Sequence, residues 1–445
     1  MQDGRSRAPF EWLHAELPRW VEEGVIDAAA ADRIRARFAS RKDEAKRSLP
    51  WTLVIFGIIG AVLVGGGIVL LLAHNWEWMT RPARTVVAFA PLLLTQALVF
   101  WILFTGRTSP AWREPAGTLT ALAIGGCLAL VSQTYHLGGS LPDFMLGWTL
   151  LALPLAYLLR ATLPAIWHGG STAIWGLSAL DQRTHAYLWF WPLLALIVPM
   201  WWREVRADRF HVRPVLIGWA LALAGIFGVG VALEGAHWHE RHAALAYAGW
   251  FAFLHLTGKR CFADARGPAS MPFQTVGVVG AVVVALILTF DGAGPGFDGH
   301  VVLSESWTGL RSQPLGWLAA FGFSVLACGM WIPALIRRDA TAIVVGALPI
   351  LIVILYGAFP TYGVLHRVMF NAYVFGAGVA VLVAGLRRQA LGTVNAGMAV
   401  LAAWVLCRFF DSDMSFVVRG LVFIALGIGF LGTNLLLVRR RHVAP

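Results

Sequence analysis

Apolar residues run along this chain in long blocks separated by short polar punctuation, from about residue 51 to about residue 438. By hydropathy the blocks fall near 51–73, 84–104, 116–133, 144–159, 161–179, 186–202 and 214–233. A second series follows near 242–257, 273–290, 314–336, 340–358, 364–386, 390–410 and 415–438. Crossing a bilayer as a helix takes roughly 20 predominantly apolar residues, and these blocks are of that order. The pattern predicts an all-α fold, a polytopic transmembrane helical bundle of about 14 spans, because helices satisfy every backbone polar group within the segment. The pair of blocks around Arg160 is the least regular and reads also as a re-entrant or broken element.

The first fifty residues follow a different period. Phe10, Leu13, Leu17, Trp20 and Val21 recur at helical spacing, Gly24 is placed to end that helix, and Asp27 can cap a second one carrying Ile34 and Phe38. Pro18 is placed to kink the first helix. Residues 1–50 are therefore expected to form a short N-terminal cytoplasmic helical hairpin, 51–438 the bundle and 439–445 a basic cytoplasmic tail. The basic run Arg33, Arg35, Arg37, Arg41, Lys42, Lys46 and Arg47 suits an anionic lipid surface, with a protein partner as the other reading of the hairpin. A polar segment of fifty residues ahead of a span-length block is not a cleavable signal peptide, so Trp51 to Ala73 is expected to act as an uncleaved anchor.

Composition agrees with a lipid solvent: 58% of the 445 residues are apolar, 13% are charged, and the mean hydropathy is +0.68. The net charge of +11 does not point to nucleic acid, since the basic residues are dispersed between apolar blocks. With the N-terminus inside, 27 of the 35 fall in inner segments and 8 in outer ones, as retention of Lys and Arg on the cytoplasmic side requires. Arg203, Arg206, Arg209, Arg213, the Arg337/Arg338 and Arg387/Arg388 pairs and Arg439 to Arg441 are the strongest inner markers. Both termini are thus expected in the cytoplasm of a bacterium, with the bundle in its inner membrane. Only Lys42, Lys46 and Lys259 are lysines, a bias typical of GC-rich coding. Many of the 21 tryptophans, such as Trp51, Trp76, Trp78, Trp101, Trp201 and Trp202, fall at block ends, where indoles favour the headgroup boundary. Ala61 with Gly65 and Ala224 with Gly228 have the four-residue spacing of close helix packing.

Candidate chemistry is sparse. Cys127, Cys261, Cys328 and Cys407 form no zinc or disulfide pattern. His168 is the one mid-span titratable side chain worth testing, against a hydrogen-bonded structural role. His237, His239 and His242 do not have the spacing of a zincin, and no metal or cofactor is expected. The Gly- and Pro-containing segment from Asp291 to Gln313 reads as a flexible outer loop, or a cap over an outer vestibule. A polar outer turn follows the third block, Gln133-Thr134-Tyr135-His136-Leu137-Gly138-Gly139. Arg367, Arg408 and Arg419 lie at outer ends, where basic residues are otherwise scarce, and Arg408 and Asp411 can pair on one helix face. These charges read either as an ion-pair network among the last helices or as an outward site for an anionic headgroup or phosphate, held by guanidinium forks. No catalytic constellation is visible, so an enzyme is the less favoured class.

Trp20-Val-Glu-Glu-Gly24-Val-Ile26 with Ala31 to Ile34, then Gln133 to Gly139, and finally Asn395 to Arg408-Phe-Phe-Asp411 with Arg419 to Phe423 are three segments with a pattern of their own. In these segments the chain resembles a family of bacterial membrane proteins called domain of unknown function 2157. The resemblance implies no activity. Candidate binding residues are Arg408, Asp411, Arg367, Arg419, Gln133, Tyr135 and His136. The partners expected are the lipid bilayer, an anionic lipid or small-molecule ligand, and a protein partner at the hairpin. A transporter or permease for a lipid or anionic small molecule is the first function class, and a non-transporting sensor or scaffold acting through the hairpin is the second.

Overall fold

The computed structural model describes residues 9–33, a few positions between 55 and 70, and then 78–411. Segments 181–184, 239–241, 263–267, 291–298, 360–362 and 388–390 are excepted, and beyond 411 only residues 424 and 427 are described. Most of the first block, all but two positions of the last, and the sites of His239 and Arg419 lie outside the described residues.

Among the described residues fifteen α-helices follow one another. They are α1 (Pro9–Glu22), α2 (Arg81–Phe104), α3 (Pro110–Tyr135), α4 (Leu141–Leu159), α5 (Thr162–Ala179), α6 (Ala186–Ala195), α7 (Val198–Ala207), α8 (Val212–Gly235) and α9 (Ala243–Cys261). Then come α10 (Pro272–Ile287), α11 (Gly299–Ser312), α12 (Pro314–Ile336), α13 (Ala340–Ala358), α14 (Val364–Arg387) and α15 (Leu391–Asp411). Among the described residues eight helices are long and apolar enough to cross a membrane: α2, α3, α4, α8, α12, α13, α14 and α15. Every apolar block from 84–104 to 390–410 coincides with a helix, except that 186–202 holds the pair α6 and α7. The chain is an all-α, polytopic membrane protein.

Local chemistry fixes the helix ends. Proline opens the first turn of α2, α4, α7, α10 and α12, where its missing N–H costs nothing. Ser140 and Asp143 form a capping box on α4: Ser140 Oγ accepts from the Asp143 N–H at 3.4 Å, and Asp143 accepts from the Ser140 N–H at 3.1 Å. At several of the other ends the chain turns through a left-handed residue. Gly24 and Gly106 take that role at φ 70° and 64°, but His136, His237 and Arg338 do so at 49°, 57° and 53° without a glycine's freedom. Each of these turns closes with a bond back to the last helical turn, as from Leu137 N–H to Ser132 O at 3.0 Å.

The chain divides into two compact units, Met1–Ala123 and Ile124–Pro445. In the first, Gly24 ends α1 and Asp27 caps the next turn by accepting the Ala30 N–H, so both punctuation marks act as the sequence predicts. Arg107 lies over the rings of Trp101 and Trp112, at 4.3 and 4.8 Å, and locks the corner between α2 and α3.

In the second unit, α8 and α9 lie at the centre. Helix α8 packs against α5, α6, α7, α9, α10 and α12, and α9 against α8, α10, α12 and α13. Small residues permit this: a Cβ on Gly277 of α10 would lie 2.6 Å from His255 N and Phe251 O of α9, so two backbones are in contact there. Helices α14 and α15 meet the same way at Gly385 and Gly397. Lys259 of α9 pairs with Asp339, the cap of α13, at 3.0 Å. Burial pushes the Asp339 carboxyl up, but the Lys259 ammonium and the cap hydrogen bonds outweigh it and hold the carboxyl below its ordinary value.

Two expectations change. Residues 299–312 are not loop but α11, which buries Val302 and lays Gly309 against Trp238, packing on α12 and α13. Val302, Ser306 and Gly309 keep a helical period that the surrounding glycines obscured. The irregular pair around Arg160 is two continuous helices of 19 and 18 residues joined through Arg160 and Ala161, and the broken element lies one block later.

Gly277→Ala is expected to lower the stability of the purified protein by about 1–3 kcal/mol, since backbone atoms cannot make room. Gly322→Ala on α12, where nothing lies within 4 Å of the added carbon, is expected to stabilise by about 0.5–1 kcal/mol. Thermal unfolding in detergent measures both, and equal shifts would contradict the packing argument.

Candidate functional site

Pro199 sets the position of the break. Pro199 sits in the first turn of α7 and has no N–H to offer the Ala195 carbonyl, so the helix that began at Ala186 cannot continue through Leu196 and Ile197. Across the break the backbone tightens into i to i+3 bonds, Leu196 N–H to Leu193 O at 3.2 Å and Ile197 N–H to Leu194 O at 3.4 Å. Phe190, Leu193, Leu194, Ile197 and Met200 are nearly or fully buried here, and a carbonyl left bare in such surroundings is expensive.

The α4–α5 hairpin adds side-chain donors to two carbonyls beside the break. His168, 1% exposed on α5, donates from Nε2 to the Leu193 carbonyl at 2.8 Å, which assigns the ring proton to Nε2. The Tyr157 hydroxyl of α4 donates to the Leu196 carbonyl. At the hairpin turn Arg160, held left-handed at φ 51°, grips Glu204 of α7 through Nη2 at 2.6 Å and Nε at 3.1 Å. Glu204 is 7% exposed, and Arg203 lies 3.9 Å from the same oxygen. These contacts form a ladder along α6 and α7. Thr149 and Thr172 bond within their own helices, to Met145 O at 2.7 Å and to His168 O at 2.7 Å.

The opposite side of α6 is built differently. Trp191 donates its indole N–H to the Ala319 carbonyl of α12 at 3.0 Å and packs on Phe323 at 4.6 Å between ring centres. Beside this contact lies a groove of about 640 Å³, within the range of ligand pockets. It is lined by Leu188 to Pro192 on α6 and by residues between Leu315 and Leu326 on α12, and every lining side chain is apolar or indole.

The candidates read from the sequence lie elsewhere. Arg408, at the end of α15, donates from Nη2 to Thr289 Oγ1 at 2.9 Å and lies over the Phe290 ring at 4.7 Å, tying α15 to the end of α10. Arg367 is in the first turn of α14. Its carbonyl accepts from Asn371, whose Oδ1 accepts the Trp404 indole N–H of α15 at 2.8 Å. The side chain of Asp411 is outside the described residues, as is Arg419. Gln133, Tyr135 and His136 are exposed at the end of α3, with His136 in the left-handed turn. Among the described residues, Arg408, Arg367, Gln133, Tyr135 and His136 do not line the groove. The sequence singled out His168 but not Tyr157, Glu204 or Trp191; two prolines seven apart in one apolar block were the signal for a break.

Residues 18–165, a third of the chain, match the family model described as "Predicted membrane protein (DUF2157)". The matched stretch runs from α1 to the first turn of α5 and includes two of the three segments on which the resemblance rests. No curated protein and no solved structure matches the chain.

Arg160→Ala would strand a buried carboxylate, and a loss of about 1–3 kcal/mol is expected, discounted because Arg160 is itself 44% exposed. Adding Glu204→Gln should recover part of that loss. Unfolding of the two single variants and the double tests this, and strict additivity would contradict a direct interaction.

Proposed function

We propose that the chain is a permease that moves a lipid or another amphipathic anion across the membrane. The observation that carries this reading is a span broken at Leu196–Ile197 with an apolar groove along its side. Discontinuous helices bring carbonyls and helix ends into the bilayer, and secondary transporters bind their cargo at such breaks. A break is also where a helix can turn while its two halves keep their own hydrogen bonds. In this reading α6 swings about the break as one wall of the groove, and the α4–α5 hairpin is the fixed bracket. Arg408 and Arg367, with Arg419 and Asp411, are taken as the end where the anionic group is first met. In support, Thr289 and Phe290 already align the Arg408 guanidinium. The exposed turn of Gln133, Tyr135 and His136 is taken as a second polar contact at the membrane boundary. The membrane is taken to be a bacterial inner membrane with both termini in the cytoplasm, a reading supported by the distribution of arginines.

The test is lipid movement in vesicles of phosphatidylethanolamine and phosphatidylglycerol that carry the purified chain and a trace of head-labelled phosphatidylglycerol. An impermeant reductant should bleach the inner-leaflet label faster than in protein-free vesicles, and Arg408→Gln should slow that phase about tenfold, the worth of a charge-assisted contact. Equal bleaching with and without protein would overturn the proposal.

A further inference from the structure

The groove between α6 and α12 faces a solvent that cannot leave it empty. Water needs two to four polar partners to stay in a cavity, and the one indole N–H of the groove floor whose partner is assigned, that of Trp191, is already bonded to Ala319. A void is no better, because its lining loses contacts outright. Hydrocarbon is the remaining filling. The dimensions agree with one particular piece of hydrocarbon: from Leu315 to Leu326 the groove follows α12 for 12 residues, about 16 Å across their eleven rises of about 1.5 Å. Half of a hydrocarbon core of about 30 Å is about 15 Å. The groove is one leaflet long, and it starts where α12 starts.

Its mouth is suited to a headgroup. Helix α11 ends at Ser312 and α12 begins at Pro314, so the exposed Arg311 stands four positions before Leu315 in the chain, its guanidinium over the Trp307 ring at 5.4 Å. A basic side chain at that depth attracts anionic lipid. Along the floor Gly322 leaves the space open, with nothing within 4 Å of where a Cβ would stand, and the Trp191–Phe323 ring contact fixes the shape.

We propose that this groove is a binding site for one acyl chain of an anionic phospholipid in the leaflet on the α11 side, with the phosphate at Arg311. The inference rests on the permease reading only for the class of molecule, since occupancy is a matter of binding and not of movement. Such a lipid exchanges hydrocarbon for hydrocarbon, so its retention comes from shape and from the arginine rather than from a hydrophobic transfer.

The experiment is native mass spectrometry of the full-length chain in mild detergent with phosphatidylglycerol added, beside Gly322→Phe and Arg311→Gln. One bound phosphatidylglycerol per chain is expected. Gly322→Phe, which fills open space, should lower its retention about tenfold. Arg311→Gln should lower it about fivefold and leave retention of neutral phosphatidylethanolamine unchanged. Photolabelling of the wild type with phosphatidylglycerol bearing a diazirine in its acyl chain does not depend on any variant folding. Label enriched in peptides covering Leu188–Pro192 and Leu315–Leu326 is expected. Label spread evenly over the helices, or retention untouched in a folded Gly322→Phe, overturns the site. So does a dimer that Gly322→Phe dissociates, because the occupant is then a second copy. Lipid bound at the groove without any movement across vesicles leaves the site standing and removes the permease reading.

Discussion

In hydrocarbon, every backbone N–H and C=O must find a partner inside the protein, and the second unit of this chain holds a helix pair interrupted at Leu196 and Ile197 that cannot meet that demand alone. Pro199 denies α6 and α7 a continuous ladder, and beside the break the carbonyl of Leu193, which also takes the Leu196 N–H, and that of Leu196 accept from another helix pair, from His168 and Tyr157. The Arg160–Glu204 pair then fixes the α7 end of the same ladder. A histidine and an arginine that look like functional charges in the sequence serve first to make a broken helix affordable in lipid.

The consequence is an asymmetry between the two sides of α6. Toward α4 and α5 it is held by hydrogen bonds. Toward α12 it is held by one indole and by van der Waals contact, with an open groove between. Helix–helix association in membranes has little hydrophobic drive, so the polar side sets where α6 rests and the apolar side can separate at low cost. That division of labour is what allows a lipid chain to share a wall of the bundle with the protein.

Much of the architecture was legible because bilayer thickness imposes a length on every apolar run. The blocks and the caps at Gly24 and Asp27 follow from constraints local to a few residues. The break in block 186–202 was less visible, since hydropathy averages over prolines and both halves are apolar. Helix α11 was hidden by the glycines and proline just before it, although Val302 and Gly309 carry its buried face. The groove was not legible at all: Trp191 and Gly322 are 131 positions apart, and nothing local marks them as neighbours. The Arg367, Arg408 and Arg419 pattern was visible as charge in the wrong place, but its meaning depends on Thr289 and Phe290, which no spacing rule connects to it.

The central claim is that His168 and Tyr157 keep the α6–α7 break closed, and amide hydrogen exchange in detergent measures it most directly. In the wild type, amides from Leu188 to Trp201 are predicted to exchange as slowly as those in the middle of α8. In the His168→Leu, Tyr157→Phe double variant they should exchange about thirtyfold faster, the effect of two hydrogen bonds of about 1 kcal/mol each, with α8 unchanged. Rapid exchange at the break in the wild type, or no change in the double variant, would contradict the account.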